Sequence, residues 1–232
     1  MASPVVLVLG AGSRVGAGIA RNFAAAGYSV GVVSRSNPSP PSVDPETSYL
    51  RIRADVSVPS EVADAFAATK KQFGNPPKVV VYNAATVSQP PDAENLLSLG
   101  IEQFEADVRV NATAAWVAAG EAAKGWNEAG EKNGRFIFTG NGLNTKPVPV
   151  PLFLTLGAGK SLAWYWVGAA DGFYQSKGWR FFYADERKAD GSNAGGDLGA
   201  ESHGKFYLHL AEGYVEELPS AVTFVDGEYK KF

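Results

Sequence analysis

The chain has 232 residues, 45% hydrophobic and 12% aromatic, a length and composition that suit one compact α/β domain with a sizeable core. Its 21 basic and 24 acidic side chains leave a net charge of -3, so nothing electrostatic points to nucleic acid or an anionic membrane as a partner. The absence of cysteine excludes disulfides, thiolate catalysis and thiolate zinc sites, and with only His203 and His209 no metal site is expected.

The first apolar run, Val5-Val6-Leu7-Val8-Leu9, reads as a buried strand. It is too short, and too soon interrupted by Gly10, Gly12 and Arg14, for a signal peptide. No later run approaches the roughly 20 apolar residues of a membrane span, so a cytoplasmic location is expected. Residues 13–26 follow as a helix with Val15, Ile19 and Phe23 on its apolar face, closed by Gly27. A second strand is expected over 28–34, then an open connection over 36–48, which is rich in proline and serine. Further strands are expected over 49–54, 78–82, 135–138 and 179–183, with an edge or seventh strand over 221–225. Helices are expected over 60–73, from about 96 to 124, over 153–170 and over 202–212, and polar, glycine-rich 187–199 reads as a mobile loop. Strands alternating with helices predict a Rossmann-type, doubly wound parallel sheet flanked by helices, in a single domain over 1–232.

Chemistry starts at the first strand-to-helix turn, Gly10-Ala11-Gly12-Ser13-Arg14-Val15-Gly16. A dinucleotide pyrophosphate needs backbone N–H groups with no Cβ in the way, at the positive end of a helix. Glycine at 10 permits the tight turn, at 12 close approach, and at 16 packing of the helix on the strand. A structural turn without ligand is the plain alternative, but the turn lies between a buried strand and a helix, as the chemistry requires. The second strand ends in Ser34-Arg35-Ser36, where NAD-binding proteins carry an acidic residue for the ribose hydroxyls. A guanidinium there can pair bidentately with a 2′-phosphate, so NADP(H) is preferred and NAD(H) remains possible. Arg14 could approach the same phosphate from the other side, or obstruct the pyrophosphate.

On these residues the chain resembles the short-chain dehydrogenase/reductase family over nearly its whole length. The family's TGxxxGxG turn corresponds to 9–16, with Leu9 for the threonine and Arg14 for the middle glycine. The resemblance assigns Asp55-Val56 to holding the adenine, and Asn83-Ala84-Ala85 to the family's Asn-Asn-Ala-Gly turn. It likens Asn111 to the helix asparagine that supports a proton-relay water. The family's Tyr-x-x-x-Lys, whose tyrosine exchanges a proton with substrate, corresponds to Leu156-Gly157-Ala158-Gly159-Lys160. Lys160 keeps the implied contact to the nicotinamide ribose, whereas Leu156 cannot carry a proton. The serine position falls in Thr139-Gly140-Asn141-Gly142-Leu143-Asn144, where Asn141 or Asn144 could offer an amide, and Ala184-Asp185-Glu186 stands for the family's Pro-Gly.

Lys160, Asn111 and Asn141 are therefore the candidate catalytic residues of an atypical member. The expected cofactor-binding set is Gly10, Gly12, Ser13, Arg14, Val15, Gly16, Ser34, Arg35, Asp55, Val56, Asn83, Ala84 and Lys160. Reducing a ketone needs an acid. Tyr165, Tyr183, Asp185 or Glu186 could replace the tyrosine, or the substrate could be an iminium that needs none. Against each stands a plain role: Trp164-Tyr165-Trp166 suits core or subunit interface, Asp185 to Lys188 a solvated charge run, and both histidines structural or surface positions. The reading is an NADP(H)-dependent oxidoreductase acting on a small carbonyl, imine or enone. The alternative is an NADP(H)-binding protein without redox turnover. The resemblance also implies a homodimer or homotetramer through the helices at 96–124 and 153–170, with Trp116 and Trp164 between subunits.

Overall fold

In a computed structural model, the strands Val5–Leu9 (β1), Ser29–Ser34 (β2), Ser42–Val43 (β3), Leu50–Arg53 (β4), Val79–Tyr82 (β5), Arg135–Thr139 (β6), Arg180–Glu186 (β7), Ala221–Val225 (β8) and Glu228–Tyr229 (β9) form one sheet. The structure describes residues 3–213, 215 and 217–232; of the expected domain, Met1, Ala2, Tyr214 and Glu216 lie outside the described residues. Strand order is β3-β4-β2-β1-β5-β6-β7-β8-β9. Neighbours from β4 through β8 pair in parallel, and the two-residue strands β3 and β9 add antiparallel edges.

Parallel strands with helices on both faces read as continuous apolar runs, and the fully buried β1 and β5 are such runs. Alternation sends Leu7, Leu9, Tyr82, Phe136, Phe138 and Tyr183 to one face, under the helices Pro59–Phe73 (α2), Ala114–Ala129 (α4) and Leu154–Tyr174 (α5). Val6, Val8, Ile137, Phe182 and Ala184 face the helices Val15–Ala25 (α1) and Ala200–Glu212 (α6). Glycine brings α1 and α6 together: a Cβ on Gly18 would stand 2.1 Å from the Ala200 carbonyl oxygen. The chain winds from β1 toward β4 and then crosses to β5, so the switch point lies between β1 and β5. In such sheets ligands bind outside the carboxyl ends of the strands there.

Four elements differ from the sequence reading. The proline-rich crossover is not wholly open, because β3 pairs with β4 inside it. The long helix expected from 96 is divided into a 3₁₀ turn at Leu96–Ser98, the helix Ile101–Val108 (α3), a π-helical segment Arg109–Thr113, and α4. A single π turn inside an α-helix shifts the following residues around the axis, and this one carries Asn111. The helix α5 runs on to Tyr174. Finally β7 continues through Asp185 and Glu186, which pair with Thr223 and Phe224 of β8 and are buried. The solvated charge run expected at 185–188 is thus corrected at its first two residues. Among the described residues no helix is long and apolar enough to cross a membrane.

Candidate functional site

At the switch point Gly10 adopts φ 85°, and a Cβ there would stand 2.4 Å from the Ala84 nitrogen, so only glycine lets the turn after β1 lie against the turn after β5. A Cβ on Gly16 would meet the Ala11 Cα at 2.6 Å, which is what seats α1 on the turn. Gly12 is different: a Cβ there would meet nothing within 4 Å. Its missing side chain makes no room for protein, and leaves room above the backbone at the N-terminus of α1. Asn83 ties the two turns together, donating from Nδ2 to the Gly10 carbonyl (2.9 Å) and from its backbone to Leu9 (2.8 Å).

These turns border a cleft of about 320 Å³ lined by Gly10, Gly12, Ser34, Arg35, Asp55, Val56, Asn83 and Ala84 among others. Eight of the residues expected to bind cofactor therefore share one cavity. Arg35 is exposed at its rim and also lines a second cavity of about 570 Å³ with Arg53 and Asp64. Hydrogen bonds from Ser57 hold the Asp55 carboxyl below its usual range, with Arg35 adding to the effect. Ser13, Val15 and Gly16 shape the turn without lining the cleft. Arg14 requires a correction: its guanidinium donates to the Gly196 carbonyl (2.8 Å) and reaches Leu198 (3.5 Å), so it faces the loop after β7 rather than a 2′-phosphate. That loop, expected to be mobile, is pinned there and by a bridge between Arg187 and Asn193.

On the α5 side, the buried amide of Asn111 accepts from the Thr86 backbone (2.8 Å) and donates back to its carbonyl (2.9 Å). It fixes the cleft-lining turn after β5, and both amide ends are engaged. Asn141 likewise uses its side-chain oxygen to accept from Leu143 (3.1 Å), capping the short turn after β6. The Asn111 amide is thus committed at both ends, and that of Asn141 at its oxygen. Next to Asn111, buried Asp107 accepts from Thr155 (2.7 Å), Ser88 (3.0 Å) and Gln103 (2.9 Å), fastening the first turn of α5 to the same loop.

Lys160 lies one helical turn after Leu156 on α5, 4% exposed. Its ammonium donates to the Thr139 carbonyl at the end of β6 (2.6 Å) and stands 4.5 Å above the Phe138 ring. Burial pulls the ammonium down to about 7, and the Asp185 carboxylate pulls the other way. Asp185 is only 3% exposed; one oxygen accepts from Arg187 Nε (2.6 Å), and the other is buried with no hydrogen-bond partner among the described residues. Burial raises its carboxyl, opposed by Arg187. Glu186, on the opposite face, accepts from the Gly199 backbone (2.7 Å) and lies 3.3 Å from buried His203. The Tyr183 hydroxyl donates to the Asn141 carbonyl (2.7 Å) and accepts from its N–H (3.0 Å). Tyr165 is 73% exposed on the outer side of α5.

The sequence reading did not place Asp185, Arg187 and Lys160 together. An acidic pair directly after the apolar Phe181-Phe182-Tyr183-Ala184 was the available signal, since charges that extend a buried strand need partners.

A sequence profile of the short chain dehydrogenase family matches residues 4–160, ending on Lys160. The chain is similar, at 37% identity covering 98% of it and 94% of the relative, to the short chain dehydrogenase/reductase dmxR12 of Cryptosporiopsis sp. (strain 8999). Its fold is similar to a short-chain dehydrogenase/reductase from Serratia marcescens BCRC 10948, with a TM-score of 0.78 at 21% identity over 97% of each chain. A 3-ketoacyl-(acyl-carrier-protein) reductase from Brucella melitensis complexed with NADH gives 0.80 at 20% identity, over 97% of this chain and 98% of that one. A metagenomic short-chain oxidoreductase in complex with NADP gives 0.78 at 18% identity, with the same coverage.

Proposed function

Because this chain belongs to the short-chain dehydrogenase family, we propose that it is an NADP(H)-dependent oxidoreductase that reduces a small carbonyl, imine or enone. The observation that carries the cofactor half is the cleft at the switch point, with open space over Gly12 and the exposed guanidinium of Arg35 at its rim. Backbone N–H groups at the start of α1 suit a pyrophosphate. Arg35 suits a 2′-phosphate, Asp55 and Val56 border the adenine end, and Lys160 is the residue for the nicotinamide ribose. When bound, the reduced nicotinamide supplies the hydride; the chain positions the substrate and manages the proton. Leu156 makes that proton management non-standard, since no hydroxyl stands one turn before Lys160.

Calorimetric titration with NADPH and NADH, followed by NADPH oxidation against a panel of carbonyls, imines and enones, tests this reading. Arg35 is exposed, so its charge-assisted contact belongs at the lower end of roughly 1.5–3 kcal/mol, and NADPH should bind about tenfold tighter than NADH. Arg35→Ala should remove that difference. Tighter NADH binding would sink the NADP preference, and NADPH binding without turnover on any substrate would leave a binding protein instead.

We also propose that the protein assembles as a homodimer or homotetramer through α4 and α5. A groove of about 510 Å³ between these helices is lined by Trp116, Tyr165 and Phe173, which are 61%, 73% and 75% exposed. Light scattering checks this: Phe173→Glu should shift the mass toward the monomer, and a monomeric unsubstituted protein would refute it.

A further inference from the structure

We propose that Lys160 is itself the proton donor of the reduction, taking from one turn away the role that Leu156 cannot fill, with the buried Asp185 on the same face of the sheet as its positioning residue. The inference rests on the oxidoreductase reading above and names the acid for it.

Side chains on a helix lean toward its N-terminus, so the Lys160 stem runs back over the turn that carries Leu156. The ammonium ends beside the carboxyl edge of β6, where among the described residues it makes one hydrogen bond, to the Thr139 carbonyl. An ammonium has three N–H groups, so two have no acceptor among the described residues. A buried ammonium with a single neutral acceptor is a poor structural device, because the desolvation it suffers is not returned by a direct carboxylate contact.

Other acids near this edge are engaged or face elsewhere. Tyr82 donates to the Val110 carbonyl (2.6 Å) and Tyr183 to the Asn141 carbonyl, and burial pushes both phenols up. Tyr207 donates to the Thr139 hydroxyl (3.0 Å) from α6, the far side of the sheet, where Glu186 and His203 also lie. Among the described residues the charge that acts on Lys160 is Asp185 on β7, itself paired with Arg187, and beneath the ammonium lies Phe138, stacked between Tyr82 and Tyr183 with centroids 5.8 and 5.6 Å apart. Asp185 shares their face of the sheet, and its second oxygen has no donor among the described residues. Arg187 fixes the carboxylate and is itself seated over the turn after β6, since a Cβ on Gly142 would stand 2.7 Å from its Nη2.

In the step, the substrate carbon gains a C–H bond with the electron pair supplied by the reduced dinucleotide, which is oxidised. The π pair of the C=O bond moves to oxygen, and the O–H bond forms as an N–H bond of Lys160 breaks. The neutral amine then recovers its proton from water. Lys160 serves as acid only while charged, so the rate of reduction should fall as pH rises through about 7. Removing the Asp185 charge takes away the pull that raises Lys160, so the fall should move to lower pH.

The test joins a measurement on the unliganded protein to kinetics. With ¹³C-labelled lysine, NMR titration should show one side chain with a midpoint near neutrality, missing in Lys160→Arg and displaced to lower pH in Asp185→Asn. Lys160→Arg, which keeps the charge but cannot release a proton, should still bind NADPH and lose about a hundredfold or more in kcat, with the pH limb gone. A Lys160 midpoint at the ordinary lysine value near 10.4 overturns the proposal, as does a pH limb that persists in Lys160→Arg. If Asp185→Asn fails to fold, the unsubstituted midpoint still decides. Absence of turnover in the unsubstituted protein overturns the oxidoreductase reading instead, and is told apart because the NMR midpoint needs neither cofactor nor substrate.

Discussion

Replacing Gly12 with alanine places a methyl group where the free protein has nothing within 4 Å, and Gly12 is not among the residues with positive φ. The substitution therefore strains neither packing nor backbone. Restricting the unfolded chain should add about 0.4–1 kcal/mol of stability. For a chain of this size that corresponds to a rise in Tm of roughly 1–4 °C. If the pyrophosphate of NADP(H) lies over this turn, the same methyl group displaces it from backbone N–H donors at the start of α1. Losing one such charge-assisted hydrogen bond costs about 1.5–3 kcal/mol, or roughly ten- to a hundredfold in Kd. Gly10→Ala is the contrast. With φ at 85° and the Ala84 nitrogen 2.4 Å from the new Cβ, it should lower Tm whether or not a ligand binds. Circular dichroism melts and calorimetric NADPH titrations of both variants give the comparison. A Gly12→Ala protein with unchanged NADPH affinity would refute the placement of the pyrophosphate.

Three further outcomes follow from other parts of the structure. Asp107→Ala leaves the buried Thr155 hydroxyl without its acceptor, while half-buried Ser88 and exposed Gln103 keep their bond to each other, which should cost about 1–3 kcal/mol and lower Tm by roughly 2–12 °C; a smaller loss than about 2 °C would show that water replaces the carboxylate. Burial depresses the pKa of His203, against the raising effects of its Gly199 hydrogen bond and of Glu186. The unfolded chain then binds the proton more readily, so this contribution is present above about pH 6.5 and declines as pH falls below it. Urea midpoints should accordingly drop on acidification, and drop less in His203→Asn; an equal drop in both would assign the effect to another group. Arg14→Ala removes the donor to the Gly196 carbonyl and should speed amide hydrogen exchange across 187–199 while leaving α1 protected, whereas unchanged exchange would mean that the loop's other contacts, such as the Arg187–Asn193 bridge and the Gly199–Glu186 bond, hold it.

The parallel sheet was legible because its signal is carried by local composition: runs such as Val5 to Leu9 and Val79 to Tyr82 are apolar on both faces and are bounded by turn residues. The glycine turn was legible for a related reason, since Gly10 and Gly16 satisfy backbone and packing demands that no other residue meets. Less visible were features that depend on what a distant segment supplies. The π segment carries Asn111, whose amide pairs with Thr86, a partner 25 positions away. Asp185 and Glu186 carry charge, so pattern alone sends them to solvent; β8 gives their backbones partners, and Arg187 and Gly199 receive their side chains. Arg14 illustrates the same limit. From its place in the turn a guanidinium could reach several anions or carbonyls, and the fold of 196–198 decides among them.

The central claim is that this chain uses NADP(H) to reduce a small substrate, and the most direct measurement follows the transferred atom. The protein is incubated with NADPH deuterated at the transferable position of nicotinamide C4 and with the carbonyl, imine and enone panel, and the products are analysed by mass spectrometry. The account predicts a product carrying one deuterium on the reduced carbon, formed with NADPH and strongly diminished in Lys160→Arg. NADPH that binds but passes no deuterium to any member of the panel would contradict it.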